Sequence, residues 1–177
     1  MITEVEAISF LQSHQPMPGD DKLIEEGNEE LQIYDKIRKY FIQNPNEQCI
    51  PLFLNSFGGK NGLGVYQMVE AVILMYDKEI VLPHILKAFE SPYDSVKYWC
   101  IQIAANFPDS RLYEPLVHML QMEDADIKLA AIDALAQLAF NNIKVKEVMD
   151  TIEAQTHQTF DEDIREFAQE VLADIQA

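Results

Sequence analysis

The sequence predicts an all-α fold, an α-solenoid of about four helical hairpins preceded by one or two N-terminal helices. Three observations carry that expectation. First, apolar patterns return at a constant offset. Ile85-Leu86-Lys87-Ala88-Phe89 matches Leu116-Val117-His118-Met119-Leu120, and Ser95-Val96-Lys97-Tyr98-Trp99-Cys100-Ile101 matches Asp126-Ile127-Lys128-Leu129-Ala130-Ala131-Ile132, both 31 residues apart. A single offset spanning helix, turn and helix marks a stacked repeat. Second, proline opens the first helix of several units, where its missing N–H would be unpaired anyway. Third, no segment shows sustained apolar/polar alternation bounded by turn residues, so little or no sheet is expected.

The elements follow in order. Val5 to Gln12 reads as a short amphipathic helix. His14-Gln15-Pro16-Met17-Pro18-Gly19-Asp20 breaks it, because two prolines and a glycine cannot continue a helix. Leu23 to Ile42 resumes a helical stripe through Leu31, Tyr34, Ile37, Tyr40 and Phe41. Gly27 delays its start to about Asn28, a good N-cap residue, and Asn44-Pro45-Asn46 ends it.

From Glu47 the repeat takes over. Pro51-Leu52-Phe53-Leu54-Asn55-Ser56-Phe57 aligns with Pro83-His84-Ile85-Leu86-Lys87-Ala88-Phe89 at an offset of 32, and Pro115 starts a third copy. Second helices align as Val65-Tyr66-Gln67-Met68-Val69, Val96 to Cys100, and Ile127 to Ala131. Asp163 to Ala168, preceded by Ile143 to Ile152, is the fourth and weakest copy. The expected organisation is an N-terminal helical segment at 1–46 packing on repeats at about 47–78, 79–109, 110–141 and 142–177, all in one structural domain.

At Asp124-Ala125-Asp126-Ile127-Lys128-Leu129-Ala130-Ala131-Ile132-Asp133-Ala134-Leu135 the chain resembles the second helix of a HEAT repeat. The short period is similar to the HEAT-like subclass described in bilin lyases, over roughly Glu47 to Ala177. Tyr98 and Trp99 stand where that family prefers small residues. The resemblance implies that Lys97, Lys128 and Arg165 hydrogen-bond the turns between neighbouring units.

Composition narrows the function. The 177 residues carry 30 Asp and Glu against 13 Lys and Arg, a formal −17. Such a field repels nucleic acid and anionic lipid and draws in cationic surfaces. Solubility alone also explains acidity, and both readings stand. No apolar run approaches the ~20 residues of a membrane span. The N-terminus is acidic where a secretory signal would be basic, and Cys49 and Cys100 read as isolated free thiols. A cytoplasmic protein is expected.

Catalytic signatures are sparse. His14, His84, His118 and His157 form no HExxH and no metal-ligand spacing with a nearby Cys or carboxylate. HEAT-like hydroxylases hold iron with His-Glu pairs, and this chain has no His-Glu dipeptide. We expect no enzyme, no metal and no cofactor. Gly58-Gly59-Lys60-Asn61-Gly62-Leu63-Gly64 holds four of the six glycines but lacks the GxxxxGK[ST] order. It reads either as a turn needing positive φ at several positions or as a mobile loop that adapts to a partner.

The candidate partner-binding residues are Tyr66 and Tyr98, presented together on a concave face, with Glu70, Gln102, Asp124, Asp126 and Asp133, and Gly59, Lys60 and Asn61 in the loop. The expected partner is a protein with a basic surface. In type, though not in motif, a small acidic helical-repeat protein resembles bacterial immunity proteins, which neutralise nuclease toxins. A scaffold or assembly adaptor is the alternative. DNA glycosylases with HEAT-like stacks need a basic groove, which a −17 chain does not supply.

Overall fold

The structure, a computed structural model, describes residues 2–159 and 161–177. Eleven α-helices are described: α1 (Glu4–Ser13), α2 (Asp20–Glu25), α3 (Glu29–Gln43), α4 (Cys49–Leu54), α5 (Glu70–Ile73), α6 (Lys78–Ala88), α7 (Asp94–Ala104), α8 (Tyr113–Met119), α9 (Ala125–Phe140), α10 (Val145–Gln158) and α11 (Glu162–Gln176). Short 3-10 turns lie between some of them, and no strand occurs among the described residues. The chain forms two compact units, Met1–Cys100 and Ile101–Ala177.

In the first unit, α1 begins with a reciprocal cap. The Thr3 hydroxyl accepts from the Glu6 amide at 3.3 Å, and the Glu6 carboxylate accepts from the Thr3 amide at 2.8 Å. The expected helix from Leu23 to Ile42 is divided. Gly27 (φ 77°) and Asn28 (φ 61°) both adopt left-handed backbone between α2 and α3. Asn28 occupies the N-cap position but makes no side-chain cap bond, and its Oδ1 is buried without a partner. The expected Asn28 cap is therefore corrected: capping needs extended backbone to bring the side-chain oxygen over the free amides, and a left-handed residue does not supply it. Helix α3 packs against α1, α2 and α5, and α4 packs against α1 and α6. An aromatic cluster fills the space between them. The Tyr34 ring meets Phe53 at 5.7 Å and Tyr66 at 5.8 Å, both edge-on.

The second helix expected at Val65–Val69 is also corrected. Residues 62–68 form two 3-10 turns, and α-helix occupies only Glu70–Ile73. Left-handed residues at Lys60, Gly62, Leu63 and Gly64 consume the chain that a full second helix would need.

In the second unit, α9 is the centre, touching α8, α10 and α11. It is buried almost all round, with Ile127, Ile132, Leu135 and Leu138 as bulk and Ala130, Ala131, Ala134, Ala136 and Ala139 as close-approach positions. A helix apolar on every side must sit inside a core. Asp124 and Asp161 cap α9 and α11 by accepting from the Ile127 and Ile164 amides at 3.0 and 3.2 Å. The turn bonds implied for Lys97 and Arg165 are corrected. Each pairs instead with an acid one turn back on its own helix, Asp94 at 3.1 Å and Glu162 at 3.4 Å. At that spacing the two side chains already face each other.

Candidate functional site

Of the expected binding residues, Tyr66 is corrected first. It is 1% exposed, and its ring is enclosed by Tyr34, Phe57 at 5.6 Å and Trp99 at 6.0 Å. It cannot share an open face with Tyr98. The reason is the short 3-10 segment, which turns Tyr66 into the core. Burial, first, pushes its hydroxyl up to about 12, with the Asp20 charge adding to it.

Tyr98 is half-buried on α7, edge-on to Trp99 at 5.3 Å, and Gln102 lies one turn further along the same helix, also half-buried. Glu70 opens α5 and is half-buried. In the second unit Asp126 is exposed in the first turn of α9, while Asp124 is committed to its cap. Asp133 is half-buried on α9, and burial raises its carboxyl above the usual range, partly offset by the Gln137 side chain.

The glycine loop is a packed turn. The Asp20 carboxylate, 5% exposed, accepts from the Gly62 amide at 2.9 Å and the Asn61 amide at 3.4 Å. The Trp99 indole donates to the Lys60 carbonyl at 3.1 Å, and Lys60 Nζ sits 2.8 Å from Asp21. A Cβ on Gly58 would lie 2.5 Å from the Met17 and Pro18 carbonyl oxygens. Trp99, bulky where HEAT repeats prefer small residues, is accommodated because it stacks on Phe57 at 5.7 Å and bonds this loop. The mobile-loop expectation is not what these contacts describe. Gly59, Lys60 and Asn61 do remain exposed at its tip.

Cys49 and Cys100 are free and buried. Burial pushes the Cys49 thiol up to about 11 and raises that of Cys100, so neither is an activated nucleophile. Among the described residues no group of three or more His, Cys, Asp or Glu side chains is placed to hold a metal ion. No described helix is long and apolar enough to cross a membrane.

Paired helices joined by short turns, each burying its apolar side on its neighbours, define a helical-repeat protein. A family model for HEAT repeats matches residues 82–173, more than half of the chain. The protein belongs to the HEAT-repeat family, and its all-α fold is of the α-solenoid class. The match leaves out the stretch at 47–78 where the second helix is shortened. No curated protein matches the chain. Among solved structures it is similar to a crystal structure of computationally designed armadillo repeat proteins for modular peptide recognition, at 13% identity over 97% of this chain and 92% of that one, with a TM-score of 0.47.

Sequence reasoning missed two polar residues. Asp20 escaped because its targets lie about forty positions away, with no local sign of the contact. Gln155 had a signal: it stands at core spacing after Val148 and Ile152, where an apolar residue is the norm.

Proposed function

We propose that this protein is a non-enzymatic binding module for a protein partner with a basic surface, and that it blocks that surface as an immunity or inhibitor protein blocks a nuclease toxin. The observation that carries the reading is a formal −17 distributed along a helical-repeat scaffold. Stacked repeats build extended recognition surfaces. Nuclease clefts must attract phosphate, so a carboxylate-rich surface competes for them with fast, steered association. Glu70, Tyr98, Gln102, Asp126 and Asp133 supply acidic and aromatic contacts in this reading. In this reading the protein itself acts in the cytoplasm.

A scaffold or assembly adaptor in a cytoplasmic complex is the second reading, favoured by membership of a repeat family in its own right. Affinity purification with mass spectrometry of bound proteins separates the two. An inhibitor recovers a basic toxin whose activity it abolishes, whereas a scaffold recovers a non-toxic assembly. Lysine substitutions at Glu70, Asp126 and Asp133 are expected to weaken that binding and flatten its salt dependence. Unchanged affinity in all three would remove these acids from the interface.

A further inference from the structure

The glycine loop contains the chain's one Asn–Gly pair, Asn61-Gly62. Asparagine before glycine is chemically labile. The next main-chain nitrogen attacks the side-chain carbonyl carbon, and glycine has no Cβ to shield that nitrogen. Packing nevertheless calls for both residues. A Cβ on Gly62 would lie 2.7 Å from the Tyr66 ring, and its φ is +56°. Asn61 is exposed, and its Oδ1 accepts from the Gly64 amide at 3.2 Å. Its main-chain carbonyl accepts from the Gly64 and Tyr66 amides at 3.1 and 3.4 Å.

Closing the five-membered succinimide ring sets a strict geometric condition. The Cα–Cβ bond of Asn61 must eclipse the bond from its carbonyl carbon to the Gly62 nitrogen. In the structure ψ of Asn61 is 9°, so its own main-chain nitrogen holds the eclipsed place. Tetrahedral geometry then sets Cβ roughly a third of a turn away. The same ψ puts the Asn61 and Gly62 nitrogens on one side, which lets both N–H groups converge on one carboxylate. They donate to Asp20, at 3.4 Å from Asn61 and 2.9 Å from Gly62. Rotation to the reactive ψ parts the two N–H groups. Asp20 is 5% exposed in the first turn of α2, so the loop must leave it for the ring to close. The Asp20 contact and the reactive conformation exclude each other.

We propose that Asn61–Gly62 is a deamidation site held closed by Asp20, modified only when the loop has left that carboxylate, and released for good by the modification. In the reaction the Gly62 nitrogen gives up its proton to solvent and bonds to Asn61 Cγ. The Cγ–Nδ2 bond breaks, and Nδ2 takes up a proton and leaves as ammonia. Water then opens the ring at either carbonyl, leaving aspartate or isoaspartate. The balance is one water in and one ammonia out, with no oxidant or reductant. The product carries a new carboxylate beside Asp20 and Asp21, and in isoaspartate the main chain is one carbon longer. Neither change lets the two N–H groups converge on Asp20 again. This inference is independent of the basic-partner reading.

The test incubates the full chain at neutral pH and follows residue 61 by mass spectrometry on peptides made at acid pH, with isoaspartate separated by chromatography. The same chain in urea gives the unrestrained rate. The folded wild type is expected to react about tenfold or more slowly than that, because only the open fraction reacts. Asp20→Ala should bring the rate most of the way to the urea value. Asp20→Asn keeps an acceptor but loses the charge, so it should fall between wild type and Asp20→Ala, and it carries the comparison if Asp20→Ala does not fold. Asp161→Ala, which removes a helix cap in the second unit, should leave the rate at residue 61 unchanged. Purified isoaspartyl protein should exchange the Gly62 amide hydrogen much faster than wild type. Equal rates in the folded and urea-treated wild type, or no reaction in urea, would overturn the closed site. Wild-type rates in the Asp20 variants would remove Asp20 as its guard. Equal acceleration by Asp161→Ala would assign the reaction to global unfolding and overturn the loop opening. A Gly62 amide still protected in the isoaspartyl form would overturn the one-way release.

Discussion

At the residue scale, three side-chain positions decide more than their neighbours do. Gly58 sits against two carbonyl oxygens and the Tyr66 hydroxyl, leaving no room for a methyl group. Gly58→Ala is expected to cost about 1–3 kcal/mol through overpacking, read as a lower midpoint in urea. Asp20 holds the loop from outside it. Asp20→Ala leaves the Gly62 amide without its acceptor, and an expected loss of about 1–3 kcal/mol follows from that buried donor. Asp133 acts in the opposite direction. Burial, tempered by Gln137, raises its folded-state carboxyl above the unfolded value of about 3.9. The fold thus prefers the protonated form. The resulting cost is absent below the unfolded value, grows as pH rises through the titration, and is complete above the folded value. Asp133→Asn should therefore raise the melting temperature at neutral pH, and the difference from wild type should vanish near pH 3. A pH-independent difference would mean that ionisation of Asp133 is not the cause.

At the scale of elements, helix starts explain much of the acid content. Asp124 and Asp161 are caps before they are anything else. Alanine at either position is expected to cost about 1 kcal/mol, and Asp124→Asn should restore most of the loss because asparagine caps as well as aspartate. That pair of variants also separates capping from charge: partner affinity that falls in Asp124→Asn, with stability intact, assigns Asp124 a place in the interface. The 31-residue offset made α7, α9 and their flanking helices legible, because stacking demands apolar residues at recurring positions. It failed at Val65–Val69. The apolar spacing there is genuine, but left-handed residues from Lys60 to Gly64 reset the chain direction, and Tyr66 turned inward. Periodicity reports which residues avoid water and is silent about how many turns of helix carry them.

At the scale of the molecule, net charge sets the kinetics of encounter. Association with a basic partner is expected to slow steeply between low and physiological salt while dissociation changes little, since screening acts on approach at distances of about 8–10 Å and weakly on docked contacts. Stopped-flow measurement across a salt series checks this; an association rate indifferent to salt would leave −17 as a matter of solubility.

The residues in order, without coordinates, determined the helical class, the repeat from the middle of the chain onward, the free thiols and the acidic surface. All of these are properties of local composition and spacing, which act over one or two turns of helix. Only the tertiary structure decided that Tyr66 is core, that Asp20 pins the glycine loop, and that Gln155 is buried among apolar neighbours. Each depends on groups tens of residues apart, or on separate helices, coming within a few ångströms. Chain closure over such distances leaves no periodic trace for a one-dimensional reading to find.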